Sequence, residues 1–215
     1  MRRTKPKLFV GAALVLMAGL ARGQEVLDRI VAKVDTDVIL LSEVRALEHY
    51  QLFVDGKAES DEQVLDRLID QWIVRSEAKA ALFTQPSEND VKRSLERLKR
   101  SFSSAEEYEE RKKQSRLTDD DIERMVRAQL YLSSYLDSRF RASIQIAEKD
   151  IEQFYKTRIV LRAESRGQTP PTLDAARGFI QEALIRQAIN EQSDRWLKES
   201  RARLRVENLL NEKPK

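Results

Sequence analysis

The side chains that carry catalytic or metal-binding chemistry are few and scattered in this sequence. It contains one histidine, His49, and no cysteine. A usual protein zinc site needs several His or Cys ligands, and a thiol nucleophile needs a cysteine, so neither is expected. No Gly-x-Ser-x-Gly motif marks a nucleophilic serine, and no glycine-rich loop is present to hold a phosphate. We therefore predict no catalytic residue, no metal site and no cofactor.

Three consecutive aspartates, Asp119–Asp121, look at first like metal ligands. Consecutive residues at a helix start point in different directions, so their carboxylates do not converge on one ion. Thr118 and Asp121 instead have the spacing of a capping box, in which a hydroxyl and an acid each accept a hydrogen bond from an early backbone N–H. The same pattern predicts helix starts at Ser60 with Gln63, Ser87 with Asp90 and Ser104 with Glu107, and Ser42 is a further candidate cap.

The first 23 residues have the three parts of an export signal. Basic residues precede the uncharged apolar run Leu8 to Leu20, and Ala21-Arg22-Gly23 follows the small-x-small cleavage pattern. The run is shorter than the ~20 apolar residues that span a bilayer, so we predict cleavage between Ala21 and Gly23 and no stable membrane insertion. This removal takes five of the 39 basic residues and leaves 34 against 36 acidic ones. A nucleic-acid partner is therefore not expected.

Basic residues also cluster in the middle of the chain. One group is Lys92, Arg93, Arg97, Lys99 and Arg100, and a second is Arg111, Lys112, Lys113 and Arg116. Such a patch suits an acidic partner or an anionic membrane surface. Acidic residues are interspersed among them, so two solvated helix faces of mixed charge are the simpler interpretation.

The sequence after residue 23 predicts a mainly helical fold with one small sheet. Ile30–Val34 and Val38–Leu40 flank an Asp-Thr-Asp turn and predict a β-hairpin, and Leu204–Glu207 predicts a third strand in the same sheet. Apolar stripes at helical spacing predict helices near residues 61–83, 88–101, 119–141, 148–160 and 173–203. We expect a helical region over 24–160, a Pro/Gly linker over 161–172, and a long helix and strand over 173–215 that pack back on the first region.

Aromatic side chains on these helix stripes are candidates either for the core or for a cradle that holds an apolar ligand. Helical spacing alone favours the core, and Trp72 and Trp196 are assigned to it. The candidate cradle residues are Tyr50, Phe53, Phe83, Phe102, Tyr108, Tyr131 and Tyr135.

Several segments resemble the SurA family of periplasmic chaperones. Leu27–Val44 resembles the opening of the mature proteins, where a hairpin leads into a helix at a Ser-Glu pair, and Trp196–Glu207 resembles their C-terminal helix and strand. Leu68–Ile73, Thr118–Ile122 and Ile146–Tyr155 resemble the intervening helices. The family usually carries a parvulin prolyl-isomerase domain with paired histidines before the last helix, but here only residues 161–172 lie between.

The resemblance implies a SurA-like helical chaperone core without isomerase chemistry. It implies an ATP-independent holdase in the periplasm that binds unfolded outer-membrane protein precursors, with the outer-membrane assembly machinery as a possible partner. A non-catalytic adaptor or scaffold of the envelope is the alternative, and a degenerate prolyl isomerase is the least expected function.

Overall fold

The chain forms a mainly helical structure with one three-stranded antiparallel sheet, as predicted. The computed structural model describes residues 28–212, so the predicted signal segment lies outside the described residues. The hairpin and the first helices are β1 (Ile30–Val34), β2 (Asp37–Leu40), α1 (Leu41–Asp55), α2 (Asp61–Ala80) and α3 (Glu88–Arg100). They are followed by α4 (Ala105–Gln114), α5 (Asp119–Phe140), α6 (Glu148–Phe154), α7 (Leu161–Glu164), α8 (Leu173–Arg201) and β3 (Val206–Asn208). A 3₁₀ turn at Arg141–Ser143 follows α5, and a π-helical stretch, Tyr155–Val160, joins α6 to α7.

The sheet joins the two ends of the described chain. Its strand order is β2-β1-β3, and Val34 pairs with both Asp37 of β2 and Val206 of β3. The hairpin turns at Asp35, which has a positive φ of 52° that an aspartate tolerates better than a branched residue. Lys33 and Glu207 face each other across β1 and β3 with an N–O distance of 3.1 Å. The predicted sheet is confirmed, although β3 begins two residues later than the sequence pattern indicates.

Hydroxyl caps start the helices at four of the predicted places. Ser60, Ser87, Ser104 and Thr118 each accept a hydrogen bond from the backbone N–H three residues ahead. The predicted cap at Ser42 is wrong, because α1 already begins at Leu41. Two carboxylates accept hydrogen bonds from backbone N–H groups at its start. Asp28 accepts from the Ser42 N–H at 3.2 Å, and Glu43 accepts from the Leu40 N–H at 2.9 Å.

The main core lies between the sheet, α1 and α2. Its buried residues come from both ends of the described chain, because Leu210 lies among side chains of the hairpin and the first two helices. Trp72, Trp196 and Leu197 are partly buried and pack against this cluster. The other members include Val31, Val34, Ile39, Val44, Leu47, Leu65, Leu68, Ile69 and Ile73.

A helical arm extends from this body. The helical run that starts at Glu148 continues to Glu164, so the non-helical connection is residues 165–172 and not the predicted 161–172. α8 has 29 residues, which corresponds to about 43 Å. Its second half packs on the body through Trp196 and Leu197, whereas its first half packs on α6 in a separate small cluster around Ile151, Ala176 and Ile180. We call residues 146–187 the arm and the remaining described residues the body.

Within residues 28–212, every helix is too short or too polar to cross a membrane.

Candidate functional site

Most of the predicted cradle aromatics are buried in the body. Tyr50, Phe53, Tyr108, Tyr131 and Tyr135 are at most 6% exposed, and Phe83 and Phe102 are half-buried. The rings contact each other in two clusters. Phe53 lies 5.1 Å from Phe102 and 5.3 Å from Tyr108 between ring centroids, and Phe83 lies 5.8 and 5.5 Å from Tyr131 and Tyr135. Five of the seven predicted cradle side chains are therefore part of the core, and Phe83 and Phe102 pack against them.

The buried tyrosine hydroxyls have structural partners. Tyr50 donates to the Gln129 side-chain oxygen at 3.2 Å, and burial raises the pKa of Tyr50 to about 12. Tyr131 donates to the Phe83 carbonyl at 3.4 Å. The Tyr135 oxygen accepts from Arg139 at 2.9 Å. A buried hydroxyl that already has a protein partner stabilises the fold and is not available to a ligand.

A narrow groove remains on the body between α1, α2 and α5. One recess of about 220 Å³ has apolar walls that include Leu47, Met125 and Tyr131. A second recess of about 290 Å³ lies beside β2, against Val38 and Trp72. The two recesses share Glu43, Leu68 and Arg75, so they are neighbouring parts of one groove. Tyr131 is thus a predicted cradle residue that borders an opening, although it is only 5% exposed.

The arm carries a larger recess, of about 610 Å³, which we call the arm recess. Its walls come from the end of α6, the π-helical stretch, α7 and the first half of α8. Leu161 and Phe179 lie at its edge and are 57% and 63% exposed, so neither is part of a closed core. The other lining residues are Phe154, Thr157, Arg158, Ile159, Arg162, Ser165 and Gln187. Exposed apolar surface beside a recess makes this region of the arm a candidate binding site.

The π-helical stretch forms one wall of this recess. It supplies Thr157, Arg158 and Ile159. A π-helical turn holds more residues than an α-helical turn, and such turns occur preferentially at functional sites. The Thr157 hydroxyl donates to the Gln153 carbonyl at 2.8 Å and so provides a partner for the backbone one turn earlier. The π-helical stretch thus ends directly before Leu161, one of the two exposed apolar residues at the recess.

The charges at the arm recess are positive and lack acidic partners. Arg158 and Arg162 both line the recess, and neither forms an ion pair with another residue of the described chain. Two other basic side chains of the arm are paired, since Arg177 lies 2.6 Å from Glu148 and Lys156 lies 3.9 Å from Glu152, whereas Arg166 and Arg186 form no ion pair with the described residues. The recess is therefore lined by apolar side chains together with two positively charged ones.

Sequence patterns do not indicate this site. Phe179 lies within the predicted helix 173–203, but the buried residues in the first half of that helix are Ala176 and Ile180. Leu161 was placed in the linker, although it begins α7. Because Phe179 follows Ala176 by three residues, helical spacing does not separate it from the buried positions.

The candidate chemical residues have ordinary roles. Asp121 accepts from the backbone N–H of Thr118 at 2.9 Å, and Asp119 pairs with Lys112 at 2.9 Å. Among residues 28–212, no three or more His, Asp and Glu side chains are placed to hold one metal ion. His49 lies half-buried on α1, and its imidazole makes no hydrogen bond to the described residues.

Comparisons with known proteins do not place the chain in a family. No protein-family model matches the sequence, and no curated protein matches it. The resemblance to the SurA family rests on the quoted sequence segments and remains a prediction.

Proposed function

We propose that this protein is an ATP-independent holdase chaperone of the periplasm that binds unfolded outer-membrane protein precursors, with the arm recess as its main contact surface. The observation that carries the proposal is the exposure of Phe179 and Leu161 at one open recess. An unfolded barrel precursor presents alternating apolar residues on an extended chain. An apolar recess on a projecting arm can hold such residues and keep them from associating with one another.

The expected affinity suits capture and release without ATP. Burial of one large apolar side chain contributes about 1.5–3 kcal/mol, so a few client residues in the arm recess supply only a modest gain. A dissociation constant near 1 μM corresponds to about −8 kcal/mol. Binding of this strength delays aggregation but lets the client leave spontaneously.

The test is light scattering after dilution of a urea-unfolded outer-membrane protein into buffer with the chain 24–215. We expect the wild type to suppress scattering and the Phe179→Ser/Leu161→Ser variant to lose most of this activity. Leu82→Ser is the matched control, because Leu82 is 89% exposed at the end of α2, away from the arm. Circular dichroism checks that all three proteins are folded. No suppression by the wild type, or full suppression by the double variant, would overturn the proposal.

An adaptor that binds one folded partner is the second candidate. It is favoured by the burial of five of the seven predicted cradle aromatics in the body. Ion pairs also join surface helices of the body. The Arg127 guanidinium nitrogen lies 2.8 Å from a Glu88 carboxylate oxygen and 2.7 Å from one of Glu123. An adaptor would bind a folded envelope protein tightly and would not suppress scattering in the same assay.

A further inference from the structure

We propose that the arm recess selects client segments in which a large apolar residue stands next to an aspartate or glutamate. This inference rests on the proposed holdase function and specifies its substrate class. The occupant is a stretch of unfolded polypeptide, not a folded domain or a lipid.

The first argument is the arrangement of charge around the recess. Arg158 and Arg162 are both exposed, and both line the same wall as Ile159 and Leu161. No carboxylate of residues 28–212 lies within ion-pair distance of either guanidinium. Two positive charges on one wall repel each other, so a carboxylate that arrives with the client removes an unfavourable interaction as well as forming a new one.

The second argument is the contrast with the two arginines that join arm segments to each other or to the body; Arg166 and Arg186, which do neither, also form no ion pair in the described chain. Arg177 on the arm is paired with Glu148, and Arg141 at the base is paired with Glu182 and Asp137. The chain thus supplies acidic partners for arginines that hold the arm together. The two arginines at the recess have none in the described chain, so their charges remain available to a ligand.

The third argument is the chemistry of the lining. Phe154, Ile159 and Phe179 offer aromatic and aliphatic surface for one large side chain of the client. A guanidinium group donates two parallel hydrogen bonds to a carboxylate, and this fork geometry makes arginine a better carboxylate ligand than lysine. A client residue with an apolar side chain and an acidic neighbour therefore satisfies both parts of the recess. A lysine at the neighbouring position is repelled.

The experiment measures the fluorescence anisotropy of labelled, C-terminally amidated peptides as the chain 24–215, which lacks only the predicted signal segment, is added. The peptides share one extended, aromatic-rich sequence and carry Glu, Gln or Lys beside the aromatic residues. We expect the Glu peptide to bind about tenfold more tightly than the Lys peptide, since charge-assisted hydrogen bonds contribute roughly twice as much as neutral ones. The preference should shrink as salt is added.

The variant Arg158→Glu/Arg162→Glu should reverse the order and favour the Lys peptide. The matched control is Arg97→Glu/Arg100→Glu, which makes the same charge change on the exposed face of α3 and should keep the wild-type order. A reversed order in the control, or a retained Glu preference in the recess variant, would show that these arginines do not select the client.

The two proposals fail in different ways. Equal affinity for the Glu and Lys peptides, together with suppression of scattering, would overturn the charge selectivity and leave the holdase function standing. No binding of any peptide, together with no suppression, would overturn both.

Discussion

Arg141 and Glu182 form a two-pronged ion pair that joins the end of α5 to the first half of α8. Their N–O distances are 3.0 and 2.9 Å, and Arg141 also binds Asp137 one turn earlier on α5. The arginine lowers the pKa of the Glu182 carboxyl through these hydrogen bonds. The pair lies where the arm leaves the body, so it is positioned to fix the direction of the arm.

Glu182→Gln should loosen the arm without unfolding the protein. The pair is exposed, and exposed ion pairs contribute little to stability, so the melting temperature should hardly change. Backbone hydrogen exchange in residues 173–187, followed by mass spectrometry, should become faster. Glu199→Gln is the control, because Glu199 makes no ion pair in the described chain. Unchanged exchange in the arm would contradict the assigned role.

Removal of the chain after Gln168 should unfold the N-terminal region as well. The fragment 24–168 lacks β3, which pairs with β1, and it lacks the Trp196 and Leu197 side chains that pack on the main core. We expect loss of the cooperative thermal transition measured by circular dichroism. A fragment that melts cooperatively at the full-length temperature would show that the sheet closure is unimportant.

Leu210→Ala is a milder test of the same closure. Leu210 is 5% exposed within the main core, and Leu-to-Ala changes in a core cost about 2–5 kcal/mol. Urea unfolding should show a decrease in the free energy of unfolding within this range. Leu82→Ala should change the free energy of unfolding by less than about 0.5 kcal/mol, because that side chain is exposed. Equal effects of the two changes would refute the placement of Leu210.

Phe53→Ala separates a core role from a binding role for the buried aromatics. Phe53 is fully buried, and its loss should reduce the free energy of unfolding by about 3–5 kcal/mol. Phe102→Ala should cost less, since Phe102 is half-buried in the same cluster. Peptide affinity per folded molecule should stay at the wild-type level for both variants. Lost affinity in a fully folded Phe53→Ala protein would restore the cradle prediction.

Three glutamates with arginine partners should contribute to a loss of stability in acid. Arginine partners lower the pKa values of Glu88, Glu148 and Glu182 below the usual 4.5. A lowered pKa in the folded state contributes stability above the unfolded value, and this contribution is lost as the pH falls through the folded value. Asp70 acts in the opposite direction, since burial raises its pKa.

The melting temperature should therefore change little from pH 7 down to about pH 5 and decline below pH 4.5. Calorimetry at several pH values measures this. The Glu88→Gln/Glu148→Gln/Glu182→Gln variant should show a shallower decline, and an identical decline would indicate that other carboxyls are responsible.

Local signals predicted the fold well, and the candidate site poorly. A cap such as Ser60 with Gln63 is encoded within four residues, so the sequence reveals it directly. The actual cap of α1 uses Asp28, which lies fourteen positions before Ser42 and meets it only after the hairpin folds. Residues on one helical stripe have the same spacing whether they meet a core or a solvent-filled recess. The burial of Phe53 and the exposure of Phe179 therefore depend on tertiary packing.

Because β3 pairs with β1, the two ends of the described chain lie close together. The Arg29 guanidinium donates to the Leu210 carbonyl at 3.2 Å, and the Leu209 N–H donates to the Val31 carbonyl at 2.9 Å. A short linker could therefore connect residue 212 to residue 28, and new ends could be opened beside Gly167 at the far end of the arm. Such a circular permutant would keep every strand pairing of the sheet while placing both termini at the tip.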